Sequence, residues 1–408
     1  MKANEFDVIV AGGGMIGAAC ALALAQKRFR VALVDRHVPH PVAPDDRMEL
    51  RVSALSRASE RLLRNLGVWD AIVNVRVSPY CEMHVWDAAG GGSVHFDAAD
   101  LGEPCLGHIV ENRVIQAALW QRLGTEADAD VFAPAGVEQA AVNERGAEVT
   151  LDDGKRLRTR LLVAADGAMS PLREQFGIRV SGANYGQQGI VCNIRTEKPH
   201  AQIARQRFMP AGPLAFLPLA DGSISIVWSA DDAEATRLMA LTDAEFCAAL
   251  ESASEGVLGA ITECGKRAAF PLRRQHAETY VAPHAVLIGD AAHVVHPLAG
   301  QGANLGFLDA AALVETLQEA RDAGRDFAQP RVLRRYERWR RGDNLATLWT
   351  MDGFKRLFGN RNTLLSGLRN IGFRLFDHAG PVKREAMRQA MGLRSDLPRL
   401  ARQVRAQQ

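Results

Sequence analysis

The sequence lacks the signatures of several large protein classes. Its six cysteines include no Cys-x-x-Cys pair and no metal-ligand spacing, so we expect no metal site and reduced thiols, as in a cytoplasmic protein. A net charge of +2 over 408 residues gives no general attraction to nucleic acid. Repeats and low-complexity linkers are also absent. The chain is nevertheless long enough for about two to three domain-sized units with an ample core.

One apolar run, at residues 8–25, is uncharged and resembles a short membrane span in length. The consecutive glycines Gly12 to Gly14 are poor in a helix interior, and Asp7 stands where a signal peptide would carry basic residues. The run instead divides into a strand and a helix around the glycines. We therefore expect a protein with neither an export signal nor a membrane span.

The pattern of residues at the N-terminus predicts a strand, a glycine turn, a helix and a second strand. The turn carries Gly-x-Gly-x-x-Gly at Gly12, Gly14 and Gly17, and the second strand ends at Asp35. Such glycines allow a tight turn, close approach to a pyrophosphate and close packing of helix on strand, while the acid accepts a ribose hydroxyl. The glycine pattern alone is weak evidence, but in this context it predicts dinucleotide binding.

Two further apolar strands also end at an aspartate next to a glycine, one at Asp166-Gly167 and one at Gly289-Asp290. A glycine-rich loop and a helix follow the second pair. Taken alone, the Asp166-Gly167 pair is better explained as a common turn, whereas the Gly289 stretch favours ligand binding, with a tight corner that uses glycine only for geometry as the alternative. With Asp35, however, three strand ends in one chain carry an acid. Ligands of open α/β sheets bind outside the carboxyl ends of the strands, so we expect these acids to face one ligand site.

Together these elements resemble the flavoprotein aromatic hydroxylases, single-component FAD monooxygenases with the 4-hydroxybenzoate hydroxylase fold. The stretch at 296–306 (HPLAGQGANLG) looks like the signature of the ubiquinone-biosynthesis hydroxylases, the UbiH/UbiF/UbiI group. Residues 50–55 (LRVSAL), 106–112 (LGHIVEN) and 389–393 (QAMGL) look most like the UbiI branch, the 2-polyprenylphenol hydroxylase. The resemblance extends over residues 6–398, nearly the whole chain.

The resemblance implies FAD as cofactor, NAD(P)H as co-substrate and O2 as oxidant. It places Asp35 at the adenosine ribose, Asp290 at the ribityl chain, and the loop from Pro297 to Asn304 beside the isoalloxazine. Asp35 departs from the commoner Glu, and Asn112 departs from the Arg that is frequent in the wider superfamily. The residues that the resemblance assigns to FAD are Gly12, Gly14, Gly17, Asp35, Arg36, Arg51, Asn112, Asp166, Gly167, Gly289, Asp290, Pro297, Gly300, Gln301, Gly302 and Asn304.

We expect an α/β fold in which a Rossmann-type FAD-binding domain carries an inserted antiparallel-sheet substrate domain and a helical C-terminal region. Alternation of apolar and polar residues at 185–230 favours the sheet. The chain has one dinucleotide fingerprint, so NAD(P)H has no Rossmann domain of its own. The predicted boundaries are 1–77, 98–180 and 280–330 for the FAD-binding domain, 78–97 and 181–279 for the substrate domain, and 331–408 for the basic helical region.

The implied reaction is hydroxylation of the ring of a polyprenylphenol in ubiquinone biosynthesis. No base is assigned to the phenol; His293 and His296 are candidates, although hydrogen bonds to the backbone explain either one more readily. Phe216, Pro218 and Tyr185 are candidates for the substrate cavity, with core packing as the alternative for the first two. A hydroxylase of another ring position and a non-catalytic flavoprotein scaffold stay open. A halogenase is disfavoured, because the six tryptophans contain no Trp-x-Trp pair.

The C-terminal region is strongly basic. Residues 331–408 carry 18 Lys and Arg against 6 Asp and Glu, a net charge of +12. Aromatic and basic residues recur at helical spacing through 345–378, which is typical of helices that pack on the body of a protein. The alternative is contact with an anionic membrane surface or with a ubiquinone-biosynthesis complex, which would make the protein peripheral to the inner membrane.

Overall fold

The computed structural model describes residues 4–88, 92–295, 300–358, 380–394 and 396–403, without the side chains of 301 and 348–358. The strands are β1 Glu5–Ala11, β2 Val31–Val34, β3 Val52–Ser56, β4 Ser78–Tyr80, β5 Glu82–Asp87, β6 Ser93–Asp97, β7 Gly107–Glu111, β8 Ala129–Phe132, β9 Val137–Asn143, β10 Gly146–Leu151, β11 Arg156–Ala164, β12 Val180–Thr196, β13 Ile203–Phe208, β14 Leu214–Pro218, β15 Ile224–Asp231, β16 Ile261–Cys264, β17 Ala268–Ala277, β18 Val281–Ala282, β19 Ala285–Leu287 and β20 His293–Val294. The α-helices are α1 Met15–Gln26, α2 Arg57–Asn65, α3 Trp69–Val75, α4 Asn112–Leu123, α5 Pro171–Gln175, α6 Asp232–Ala240, α7 Asp243–Ala253, α8 Gln301–Asp322, α9 Pro330–Phe358 and α10 Gly380–Ala390.

The first sheet confirms the predicted dinucleotide-binding unit. Its strand order is β18-β19-β11-β1-β2-β8, and the central strands run parallel. These strands are short apolar runs buried on both faces, as parallel strands covered by helices must be. Helix α1 buries nearly all of its length because it packs against α4 and α8 as well as the sheet.

The alignment of the parallel strands brings the three motifs to one edge. Ala11 of β1 lies opposite Ala164 of β11, and Ala164 lies opposite Leu287 of β19. The turns that begin at Gly12, Ala165 and Ile288 therefore leave the sheet side by side. The register confirms that the strand ends predicted to carry ligand chemistry share one edge.

The second sheet has nine strands, in the order β20-β17-β12-β15-β14-β13-β5-β6, with β16 paired to β12. All its pairs are antiparallel except β13 with β5. Helices α6 and α7 cover one face and close a core that includes Ile190, Trp228 and Phe246. A small third sheet has the order β3-β7-β4 and contacts helices α2, α4 and α8. This is the α/β architecture with an antiparallel sheet that the sequence predicts; the exact domain boundaries stay a prediction.

The C-terminal region is helical where the structure describes it, in α9 and α10. Met387 of α10 and Met391, which directly follows the helix, pack with Ala98 and Leu106. Most of the predicted contact surface at 345–378 lies outside the described residues or has no described side chains. Among the described helices, none combines the length and the apolar character needed to cross a bilayer.

Candidate cofactor site

Two glycines of the N-terminal fingerprint are required by the protein's own packing. Gly12 has φ +104°, and a Cβ there would overlap the carbonyl oxygen of Ala165. A Cβ at Gly17 would overlap the carbonyl oxygen of Gly12 and press on Ala165. These contacts join the first turn of α1 to the Asp166 turn, so both positions exclude any side chain.

Gly14 is different. Among the residues that the structure describes, no atom lies within 4 Å of a Cβ placed at Gly14, and the φ of −61° at this position suits any residue. The fold itself therefore does not need glycine at this position. The open space lies at the N-terminus of α1, where free backbone N–H groups and the helix dipole attract a phosphate.

Asp35 closes the glycine turn from the next strand. One carboxylate oxygen accepts from the N–H of Gly13 at 2.5 Å, and the other accepts from the N–H of His37 at 2.7 Å. Each oxygen keeps a second lone pair with which to accept from a sugar hydroxyl. The Asp35 side chain is shorter than the Glu that is commoner at this position, but it still reaches the glycine turn.

Two residues of α4 that the sequence reasoning missed hold the same turn. Gln116 Nε2 and Trp120 Nε1 each donate to the carbonyl oxygen of Gly13 at 2.7 Å. The indole also fills the space beside Gly13, because a Cβ at Gly13 would overlap it. These donors are remote in sequence, and the only local signal was the run of three glycines.

The Asp166 turn offers an unused acceptor. Asp166 Oδ2 accepts from the N–H of Leu172 at 3.2 Å, whereas Oδ1 is buried without a hydrogen-bond partner among the described residues. Burial raises the pKa of this carboxyl from its ordinary value, although Ser170 and Leu172 oppose the rise. Gly167 follows with φ +86°. A buried acceptor without a donor is one that a ligand hydroxyl would satisfy.

Arg173 ties this turn to the Gly289-Asp290 turn, a link that sequence reasoning did not find. It is only 4% exposed, and its Nη1 donates to the carbonyl oxygens of Ala168 and Ala291, each at 3.0 Å. One buried guanidinium therefore fixes the spacing between two motif loops that lie more than a hundred residues apart in sequence.

Asp290 presents its carboxylate at the surface of the protein. Its side chain is exposed, yet surrounding protein desolvates it enough to raise the pKa of its carboxyl, against the charges of His293 and Arg51. An exposed carboxylate at a strand end is positioned to accept a hydrogen bond from a ligand. Arg51 is exposed, and Arg36 is exposed and lies against Gly136.

His293 is turned away from this surface. It is 1% exposed, and its Nε2 lies 2.5 Å from Asp309 Oδ2 inside the protein. Burial in a polar contact favours the structural interpretation of this residue over the role of base. His296 and Pro297 lie outside the described residues.

Asn304 and Asn112 bind protein rather than presenting free side chains. Asn304 Nδ2 donates to the carbonyl oxygen of Ala54 at 2.9 Å, and its Oδ1 accepts from Ser56 N at 2.9 Å and Ser59 Oγ at 2.7 Å. Asn112 Oδ1 accepts from a serine hydroxyl at 2.7 Å. Asn304 thus clamps α8 to β3 and α2, and its predicted contact with the flavin would come from its backbone.

The first turn of α8 is glycine-rich for a local reason. Gly300 has φ +61° and packs on Ala54, so a side chain there would be strained and crowded. Gly302 is less crowded, because a Cβ added there would lie 3.7 Å from the side chain of Val295. Helix α8 begins at Gln301, whose side chain is not described. The positive end of the helix dipole therefore lies at Gly300 and Gln301.

The three predicted cavity residues lie in different surroundings. Phe216 is 1% exposed and packs in the core beneath α6 and α7, whereas its neighbour Leu217 lies on the opposite face of β14 with Ala54. Pro218 is buried, and Tyr185 is half-buried in an irregular part of β12. The strand alternation therefore directs Leu217, which sequence reasoning missed, toward Ala54, on which Gly300 packs.

These residues fit a dinucleotide such as FAD. The glycine turn permits close backbone approach, Gly14 leaves open space at a helix N-terminus, and Asp166 keeps a buried oxygen to which no described residue donates. Asp35 and Asp290 add carboxylates on either side, as two separate sugar-like groups would require.

Comparison with known proteins agrees with this geometry. The family described as "FAD binding domain" matches residues 5–344. A 3-demethoxyubiquinol 3-hydroxylase of Escherichia coli (strain K12) is 39% identical over 96% of this chain and 100% of its own length. A ubiquinone hydroxylase, UbiL, of Rhodospirillum rubrum is 37% identical over 98% of this chain and 93% of its own. The crystal structure of a p-nitrophenol 4-monooxygenase from Pseudomonas putida superposes with a TM-score of 0.77 at 18% identity, covering 95% of this chain and 98% of that one, which shows the shared fold.

Proposed function

This chain belongs to the FAD-binding-domain family and is an FAD-dependent monooxygenase related to hydroxylases of ubiquinone biosynthesis, and we propose that it hydroxylates the ring of a polyprenylphenol. NAD(P)H and O2 are the co-substrates of this class. The proposal follows the 2-polyprenylphenol hydroxylase resemblance. Hydroxylation at another ring position of the same pathway is the second candidate, favoured by the name of the Escherichia coli relative.

One observation carries the choice of a lipophilic substrate. Apolar side chains from four separate segments gather around Ala54, on which Gly300 packs, and form an apolar wall: Met48, Val52, Ala54, Tyr80, Ile109, Leu217 and Leu219. Several of them are half-buried, so the cluster presents apolar surface instead of being sealed in a core. Such a wall suits a prenylated ring better than a carboxylated one.

The arginines of the neighbouring strands support the same choice. Arg205 donates to the carbonyl oxygens of His200 and Ile203, at 3.0 and 3.1 Å. Arg207 is engaged with Glu255 at 2.6 Å and is only 11% exposed. A small benzoate would need a cation to bind its carboxylate, but these two guanidinium groups are already engaged with protein oxygens.

The chain's own residues bind and orient the cofactor and exclude water. FAD, when bound, supplies hydride acceptance and oxygen activation. The glycine turn and the N-terminus of α1 would hold the pyrophosphate, Asp35 the adenosine ribose, and Asp290 the ribityl chain. The positive end of α8 would stabilise negative charge on the flavin ring. The apolar wall would keep water from the reacting ring, which protects activated oxygen from wasteful decay.

The test is a substrate comparison with purified protein. NAD(P)H oxidation and hydroxylated product are measured together with a short-chain prenylphenol and with 4-hydroxybenzoate, and the ring position is read from the product by NMR. We expect coupled turnover with the prenylphenol. Tightly coupled hydroxylation of 4-hydroxybenzoate without activity on prenylphenols would overturn the proposed substrate, and a product altered at another position would select the second candidate.

Location and partners are proposed on the basis of the substrate. A chain without a described membrane-spanning helix that acts on a lipid must reach it from the membrane surface or receive it from a partner. The basic segment at 345–378 is the proposed contact, with either anionic membrane or a ubiquinone-biosynthesis complex. We accordingly propose a cytoplasmic protein, peripheral to the inner membrane.

A further inference from the structure

Asp309 is a fully buried carboxylate behind the Gly289-Asp290 turn. It lies on α8 with 0% exposure, and its Oδ2 accepts from the backbone N–H of Gly289 at 3.2 Å and contacts His293 Nε2. Both partners flank Asp290 in the sequence. The carboxylate therefore holds both ends of the short segment that presents Asp290.

Helix α9 compensates the buried charge. Arg340 is 1% exposed and donates from Nε to Asp309 Oδ1 at 2.9 Å, while Asn344 Nδ2 donates to the same oxygen at 3.2 Å. Arg340 also donates to the side chains of Asn344 and Asp343. Burial alone would raise the pKa of Asp309, but the charges of His293 and Arg340 lower it to about 2. Asp309 is thus ionised throughout the physiological range.

The orientation of Asp290 depends on the anchoring of its backbone, because its carboxylate receives no hydrogen bond of its own from the described residues. Among the described residues, none donates a hydrogen bond to that carboxylate, and the side chain is exposed. Gly289 stands immediately before it with φ +59°, packed against Ile16 of α1. The direction of the Asp290 side chain is therefore set by the backbone of the turn, which Asp309 anchors at Gly289 and Arg173 anchors at Ala291.

We propose that Asp309 and Arg340 are positioning residues that hold Asp290 in the orientation that accepts hydrogen bonds from the sugar-like chain of FAD. The proposal rests on the proposed role of Asp290. It makes the beginning of the C-terminal helical region, through Arg340, a part of the cofactor site, although Arg340 itself faces the interior of the protein.

A double-mutant cycle on FAD affinity tests the proposal. The dissociation constant of FAD is measured by flavin fluorescence for the wild type, Asp290→Ala, Arg340→Met and the double mutant, with thermal melting of each apoprotein alongside. If Arg340 acts through Asp290, each single substitution raises the dissociation constant about tenfold, and the double mutant matches Asp290→Ala. Arg207→Met, which removes another mostly buried arginine in β13, is the matched control and should lower the melting temperature without changing FAD affinity.

The outcomes separate the proposal from the role on which it rests. If Asp290→Ala leaves FAD affinity unchanged, the assigned role of Asp290 is wrong and the proposal fails with it. If Asp290→Ala weakens binding but Arg340→Met does not, or if the two losses multiply, the positioning role alone is refuted. Should Arg340→Met fail to fold, Arg340→Lys carries the same cycle, because it keeps the charge but loses the planar fork. It should show a smaller loss that again disappears in the Asp290→Ala background.

Discussion

Replacement by valine should mainly weaken FAD binding at Gly14 but mainly destabilise the apoprotein at Gly17. Gly14→Val adds a side chain into open space at an unstrained φ, so the apoprotein loses only a favourable N-cap residue, about 1 kcal/mol, which shifts the melting temperature of a chain of this length by about 1–2 °C. The same side chain would occupy the pyrophosphate position, and FAD affinity should fall by at least about 100-fold, or about 2.7 kcal/mol.

Gly17→Val is the contrasting variant. Its side chain would overlap the carbonyl of Gly12 inside the protein, so the loss appears in the apoprotein as overpacking, about 3 kcal/mol or more. Thermal melting of FAD-free protein and visible flavin absorbance of purified protein separate the two effects. A yellow, FAD-loaded Gly14→Val protein would refute the reasoning, as would a Gly14→Val apoprotein that melts as early as Gly17→Val.

Three other expectations follow from the structure and the sequence. Asn304→Ala should lower the free energy of unfolding by about 3 kcal/mol in urea titration, because three buried hydrogen bonds are lost; a change below 1 kcal/mol would show that the clamp is dispensable. Burial lowers the pKa of His276 and of His108 to about 4, so the unfolded state binds more protons below about pH 6.5, and the free energy of unfolding should decline between about pH 6.5 and 4 by up to about 3 kcal/mol for each. His276→Gln should flatten that decline, and an unchanged slope would contradict the assignment. Lys355→Glu with Arg356→Glu should reduce sedimentation with anionic vesicles at normal FAD content, and added salt should mimic it; wild-type behaviour in vesicle binding and complex assembly would leave the tail a packing element.

The parts of the fold predicted from sequence are those set by local pattern. The glycine turn, the strand that ends at Asp35 and the later strand ends at Asp166 and Asp290 each lie within a short stretch whose periodicity and turn residues determine the conformation. Their meeting at one sheet edge followed from the general rule for parallel strands, and the register of Ala11 with Ala164 confirms it.

The parts that escaped prediction depend on long-range contacts. The alternation in β14 shows that Phe216 and Leu217 face opposite sides, but only the position of α6 and α7 decides which side is core. Likewise, nothing near Arg340 in the sequence indicates that it meets Asp309, because the two residues come from different helices. A buried ion pair between two helices produces no sequence pattern around either residue, so the sequence alone does not pair Arg340 with Asp309.

The most direct test of the central claim is the origin of the oxygen in the product. Purified, FAD-loaded protein is incubated with NAD(P)H, a short-chain prenylphenol and oxygen-18 gas, and the product is analysed by mass spectrometry. We expect a hydroxylated ring that carries one labelled oxygen atom and forms in step with NAD(P)H consumption. A flavin-loaded protein that consumes NAD(P)H and yields only peroxide, or a product whose new oxygen comes from water, would contradict it.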